Sequence, residues 1–148
     1  MNYADLNRIM IIGCCGAGKS TLATRLHEIL DLPLIHLDQH YHLPEWREPS
    51  KEEWEQIATD LASGDQWIID GNYGGTMDIR IPRADLILFM DYPTHSCISR
   101  IIKRTWKYHG KVRPDMAPGC PERFDWEFLH YTATFRMTKR AGILDRLK

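Results

Sequence analysis

The stretch Gly13-Cys14-Cys15-Gly16-Ala17-Gly18-Lys19-Ser20-Thr21 follows the apolar run Ile9–Ile12 and precedes a helical apolar pattern. Three glycines, a lysine and two hydroxyls in nine positions pack poorly into any core. They satisfy GxxxxGK[ST] at Gly13, Gly18, Lys19 and Ser20, after a strand and before a helix, the context this motif requires. Glycines let the backbone wrap so that successive N–H groups point at one anion, and the helix N-terminus adds partial positive charge. The loop therefore predicts a cradle for a nucleoside triphosphate, built from every residue between Gly13 and Thr21. Lys19 is expected to reach the outer phosphates, the Ser20 hydroxyl to ligate Mg2+, and Thr21 to touch the innermost phosphate. Cys14 and Cys15, with Gly16 and Ala17, fill the variable positions by virtue of small size.

The rest of the chain alternates strands and helices. Leu34–Leu37 reads as a second strand ending at Asp38, Trp67–Ile69 as a third ending at Asp70-Gly71, and Leu86–Met90 as a fourth ending at Asp91. The helix from Thr21 to Leu30 would bury Leu22, Leu26, Ile29 and Leu30. A capping box at Ser50 and Glu53 opens another, running to Gly64. A third starts at Thr94, with Ile98, Ile101, Ile102 and Thr105 inward and Arg100, Arg104 and Lys107 outward. His109–Pro121, with three prolines and two glycines, must be a loop. Phe124–Leu147 reads as mostly helical, with Phe128, Thr132 and Phe135 inward and Gly142 a weak point. Apolar strands alternating with helices predict a three-layer α/β fold around a parallel sheet of about four or five strands. Ligands bind beyond the carboxyl ends of such strands, where Gly13, Asp38, Asp70 and Asp91 would gather.

A chain of 148 residues suits one domain, and its 43% apolar and 26% charged residues are ordinary for a globular protein. No apolar run approaches a membrane span, no signal-peptide layout opens the chain, and four cysteines form no scaffold spacing, so a reduced cytoplasmic protein is expected. Residues 1–99 carry seven basic against fifteen acidic side chains, and residues 100–148 twelve against five. The last third could hold an anion, while the acidic front and the missing groove-reading motif argue against direct nucleic-acid binding.

No Asn-Lys-x-Asp segment is present, which argues against a GTPase, and the chain is too short for motor or transporter classes. "DGNYGGTMDIR" after "WII", "ADLILFMDYP" and "SRIIKRTWKYHGKVRPDMAPGCPER" resemble the adenylate-kinase-related group of P-loop kinases, most closely the bacterial family of DNA topology modulation proteins. The resemblance runs along nearly the whole chain. It implies a nucleoside-monophosphate-kinase-like fold, ATP with Mg2+, and phosphoryl transfer to a small-molecule or nucleotide acceptor. Asp70 matches the magnesium-side aspartate of the Asp-Gly pair, and Asp38 the carboxylate that orients an acceptor hydroxyl. Arg100 and Arg104 lie on the helix leading into a lid at about 104–123, and Arg113 would be the lid arginine closing over the phosphates. Arg136 and Arg140 are later candidates of the same kind. Arg80 is the counterpart of an acceptor-gripping arginine, although "NYGGTMDIR" replaces the expected close Pro-Arg. The resemblance also implies a final strand and helix after the lid helices, which this sequence lacks where it stops at Leu147-Lys148.

Two other readings stay open on the residues. His36, Asp38, His40 and His42 alternate, and in an extended segment would share one side, which invites a metal reading. A regulatory module that binds ATP without turnover, tied to DNA topology or gene regulation, would use the basic last third as a docking surface.

Overall fold

The computed structural model describes residues 5–148. Strands β1 (Arg8–Gly13), β2 (Leu34–His36), β3 (Trp67–Asp70) and β4 (Leu86–Met90) form one parallel sheet in the order β2-β3-β1-β4. Ile9 pairs with Ile68 and Leu86, and Ile11 with Asp70 and Leu88, so β1 is interior. His36 lies opposite Asp70. This register brings the ends of β1, β2 and β3 together at one edge.

Both faces of the sheet are covered. Ile9, Ile11 and Ile68 pack against Ala23, Leu26 and Leu30 of α1 (Lys19–Leu30). Met10, Ile12, Trp67 and Ile69 face the other way. They meet Trp54 and Ala58 of α3 (Lys51–Ala62), Phe135 of α6 (Trp126–Thr138) and Ile143 of α7 (Arg140–Arg146). Burial on both faces is why the strands read as continuous apolar runs. The three-layer α/β architecture is the one expected. No helix among the described residues is long and apolar enough to cross a membrane.

Local expectations change at four places. The second strand stops at His36, and Leu37, fully buried against Gly71, begins α2 (Leu37–Tyr41). Ile29 and Ile102 face solvent, at 75% and 49% exposure, because the buried stripes run through Ala23 in α1 and through Cys97 and Ile101 in α5 (Thr94–Tyr108). The C-terminal helical region breaks at Lys139, whose φ is −118°, rather than at Gly142. Between β3 and β4, a stretch with no helical pattern folds as α4 (Met77–Arg80) flanked by 3-10 turns.

Candidate active site

The loop after β1 adopts the wrapped conformation its glycines permit. Gly13, Gly16 and Gly18 have φ of 143°, 78° and 92°. A Cβ on Gly13 would lie 2.4 Å from the Met90 carbonyl oxygen, and one on Gly16 2.4 Å from that of Cys97. Only glycine fits there, between the end of β4 and α5. The Ala17 N–H donates to the Cys14 carbonyl (3.1 Å), closing the turn. Lys19 Nζ curls back to donate to the Gly13 and Cys14 carbonyls, at 3.1 and 2.9 Å. Cys14 is buried, which with nearby Cys97 pushes its thiol up to about 12, and Cys15 is likewise raised by desolvation. Neither thiol is poised to react.

Asp70, at the end of β3, gathers one residue from α1 and one from β2. Ser20 Oγ donates to Asp70 Oδ2 at 2.6 Å, and His36 Nδ1 meets the same oxygen at 2.8 Å. Burial opposes charge on His36. Its hydrogen bond to Asp70 and that carboxylate's charge, aided by Asp115 and Asp38, nevertheless hold the imidazole above its ordinary value. The hydroxyl and the carboxylate are adjacent hard oxygen donors, a set that suits Mg2+, which takes one or two protein oxygens and keeps waters and phosphate oxygens. His36, on the same carboxylate oxygen, helps to fix the orientation of the carboxylate.

The segment after β3 braces the loop. Gly13 N–H donates to Asn72 Oδ1 (2.9 Å), and Asn72 Nδ2 donates to the Gly13 carbonyl (2.7 Å). Arg80 is fully buried beneath this segment, and its guanidinium donates to the carbonyls of Gly71 (2.9 Å), Asn72 and Tyr73 (3.2 Å). Burial opposes that charge, and the three carbonyls compensate. This corrects the expectation for Arg80: it does not line the cavity and cannot grip an acceptor, because it is fully buried and its two terminal nitrogens already hold these carbonyls. Tyr73, held at φ 42°, donates its hydroxyl to Asp38.

These groups open into one cavity of about 910 Å³. Cys15, Gly16, Gly18, Lys19, Ser20 and Thr21 line it, as do Asp38, His42, Trp46, Glu48 and Asp115. Arg100, Arg104 and Arg113 all border it. Arg100 donates to the Ala17 carbonyl (3.3 Å) and lies over the Tyr92 ring, 4.8 Å from its centroid. Arg113 sits 2.7 Å from Glu122 and 3.3 Å from Asp115; Arg104 is 3.7 Å from Glu122. Arg136 and Arg140 are drawn elsewhere, both pairing with Asp91, at 3.2 and 2.6 Å.

The segment at about 104–123 is packed down. Met116, Ala117 and Cys120 are buried against Trp46, Gly119 lies against Pro44, and Gln39 donates to the Pro114 carbonyl (2.9 Å). The alternating histidines do not converge. The helical turn α2 separates them, and no group of three His, Cys, Asp or Glu residues among the described residues is placed to hold a metal ion. Sequence reasoning missed Asn72, Tyr73 and Glu122 as site residues. "DGNY" marked the first two as a distinctive string, and nothing marked the third.

No family model and no curated protein matches the chain. Solved structures do. A shikimate kinase from Acinetobacter baumannii in complex with shikimate aligns over 99% of this chain and 98% of its own, with 14% identity and a TM-score of 0.56. A gluconokinase from Sinorhizobium meliloti 1021 aligns over 93% of this chain and 97% of its own, with 14% identity and a TM-score of 0.50. At such identity the likeness is one of backbone. The chain has the α/β fold of the P-loop kinases.

Proposed function

We propose that the chain binds ATP with Mg2+ and transfers the terminal phosphoryl group to a small hydroxyl acceptor. The observation that carries this reading is the opening of the glycine loop, with Lys19 and the Ser20–Asp70 pair, into the same cavity that Asp38 faces. Main-chain amides from Gly16 to Lys19 would bind the phosphates. Lys19 would leave the Gly13 and Cys14 carbonyls for the outer phosphates. Ser20 and Asp70, the latter partly through water, would hold Mg2+, which supplies charge neutralisation between the outer phosphates. Arg100, Arg104 and Arg113 would stabilise charge on the phosphoryl in flight, and the 104–123 segment would act as a lid that excludes water. Asp38, held by Tyr73, would orient the acceptor hydroxyl.

Incubation with labelled ATP, Mg2+ and pooled metabolites should yield a labelled product, and Lys19→Ala should abolish it. ATP uptake by calorimetry without any labelled product would favour the regulatory reading. Failure to bind ATP at all would refute both.

A further inference from the structure

The cavity carries carboxylates that are held by hydroxyls rather than by cations. Asp38 and Glu48 line it, and the partners of both carboxylates are tyrosine hydroxyls: Tyr73 for Asp38, and Tyr41, at 3.1 Å, for Glu48. Neither forms an ion pair among the described residues. Asp115 is a third carboxylate of the lining, and Arg113 pairs it at 3.3 Å.

Of the cations lining the cavity, Lys19 holds the Gly13 and Cys14 carbonyls, His36 meets Asp70, Arg100 holds the Ala17 carbonyl and Arg104 lies 3.7 Å from Glu122. Arg113 lies between Glu122 and Asp115, and Arg80 is buried on three carbonyls outside the cavity. Arg123, which lines the rim, lies over the Trp46 ring (5.0 Å) and 3.9 Å from Asp125. His42 is driven toward its neutral form by burial. A phosphate or carboxylate placed against Asp38 and Glu48 would meet two carboxylates that no cation pairs among the described residues. Like-charge juxtaposition of that kind rejects a ligand far more effectively than missing contacts do.

Building on the kinase reading, we infer that the phosphoryl acceptor is a hydroxyl compound bearing no anionic group, either neutral or carrying an amine. Its hydroxyl oxygen forms the new bond to the terminal phosphorus of ATP. The bond from that phosphorus to the bridging oxygen breaks, and ADP leaves with the electron pair. The hydroxyl proton passes to Asp38 and then to water. Tyr41 and Tyr73 act as positioning residues that hold the two carboxylates toward the acceptor.

The test uses matched acceptors with ATP and Mg2+: adenosine against AMP, thymidine against thymidine monophosphate, glucose against gluconate, and ethanolamine against glycolate. ADP release is followed by a coupled assay and the product by phosphorus NMR. ATP binding is measured separately by calorimetry. The expected result is turnover of at least one neutral or amine-bearing member, with kcat/KM about tenfold or more above its anionic counterpart. In Glu48→Gln, an exposed and foldable change, that ratio should narrow by about threefold to tenfold. Equal or better use of the anionic members overturns the inference. So does the absence of turnover by any neutral or amine-bearing member in protein that binds ATP. Absence of ATP binding instead removes the kinase reading beneath it.

Discussion

Asn72 holds Gly13 by both of its backbone groups, accepting from its N–H at 2.9 Å and donating to its carbonyl at 2.7 Å. One side chain at the end of β3 thus sets the first residue of the phosphate loop at the end of β1. The geometry mimics a strand pairing continued past the point where the sheet itself has ended. The loop enters its left-handed turns from a fixed start.

Asn72→Ala leaves both of these partly buried groups without that partner. The expected loss of stability is about 1–3 kcal/mol, typical of orphaning buried hydrogen-bonding groups. Triphosphate affinity should fall as well, because the loop then samples conformations that no longer converge its amides. Urea denaturation and calorimetry with an unhydrolysable triphosphate measure the two effects. A variant with unchanged loop affinity would show that Gly13 needs no brace.

Arg80 acts on the same segment from below. Its guanidinium spans the carbonyls of three consecutive residues, Gly71, Asn72 and Tyr73, and so carries the backbone that presents Asn72 and Tyr73. Arg80→Ala should destabilise the fold by about 3–5 kcal/mol, since it opens a cavity and orphans buried carbonyls together. Arg80→Lys should recover less than half of that, because a single ammonium cannot reach all three acceptors with a planar fork. Denaturation of the two variants decides it; an Arg80→Ala protein as stable as the parent would refute the buried role.

The difference between Asn72 and Arg80 on one side and the glycine loop on the other explains how far the sequence could be read. The loop is local: nine consecutive residues carry its conformation, its charge and its context. The four strands are legible for a related reason, as burial on both sheet faces leaves each an unbroken apolar run. The resemblance puts Arg80 at the acceptor, whereas it is fully buried, which an arginine seldom is. Its partners are carbonyls, which every residue has, so nothing in the chain announces them. Ile29 and Ile102 misled in the opposite sense. Their helical spacing fits an inner face, but the buried stripes run through small residues, Ala23 of α1 and Cys97 of α5. Asp38 was placed at the right sheet edge, though as a strand terminus rather than on the turn α2 where Tyr73 reaches it.

Asp91 closes the other side of the sheet edge. Its carboxylate receives Arg140 in a two-pronged contact, at 2.7 and 2.6 Å, and Arg136 at 3.2 Å, tying α6 and α7 to the end of β4. The hydrogen bond from Arg140, with the charges of both arginines, holds Asp91 below the usual carboxylate range. A carboxyl whose folded pKa is depressed binds protons less readily than in the unfolded chain. Its contribution is complete above the unfolded value and is lost as pH falls through the folded one. Asp91→Asn should therefore be less stable than the parent at pH 7, with the gap closing as pH drops below about 4. Urea titrations at both pH values, in moderate salt because the pair is partly exposed, check the sign. A gap that persists unchanged in acid would show that packing, not charge, accounts for the loss.

Glu122 lies between Arg113 and Arg104, at 2.7 and 3.7 Å, with the carboxylate and Arg113 both buried. Its Oε2 accepts no aligned hydrogen bond from either arginine. The cluster is held by charge and proximity, an arrangement that a better-aligned anion can displace. Phosphate oxygens are such an anion, offering guanidinium groups shorter, charge-assisted bonds. Glu122→Gln removes the internal counter-charge and leaves two cations facing the cavity. Free protein should lose up to about 3–5 kcal/mol, the range for breaking a buried pair. Bound triphosphate would restore the missing charge, so ATP with Mg2+ should raise the Tm of the variant more than that of the parent. The excess rise reports tighter binding to the folded state, through the usual mass-action dependence on ligand concentration over Kd. Thermal unfolding with and without nucleotide, at one fixed ligand concentration, measures it. Equal shifts in the two proteins would mean that these arginines stay with the 104–123 segment and never turn to the phosphates.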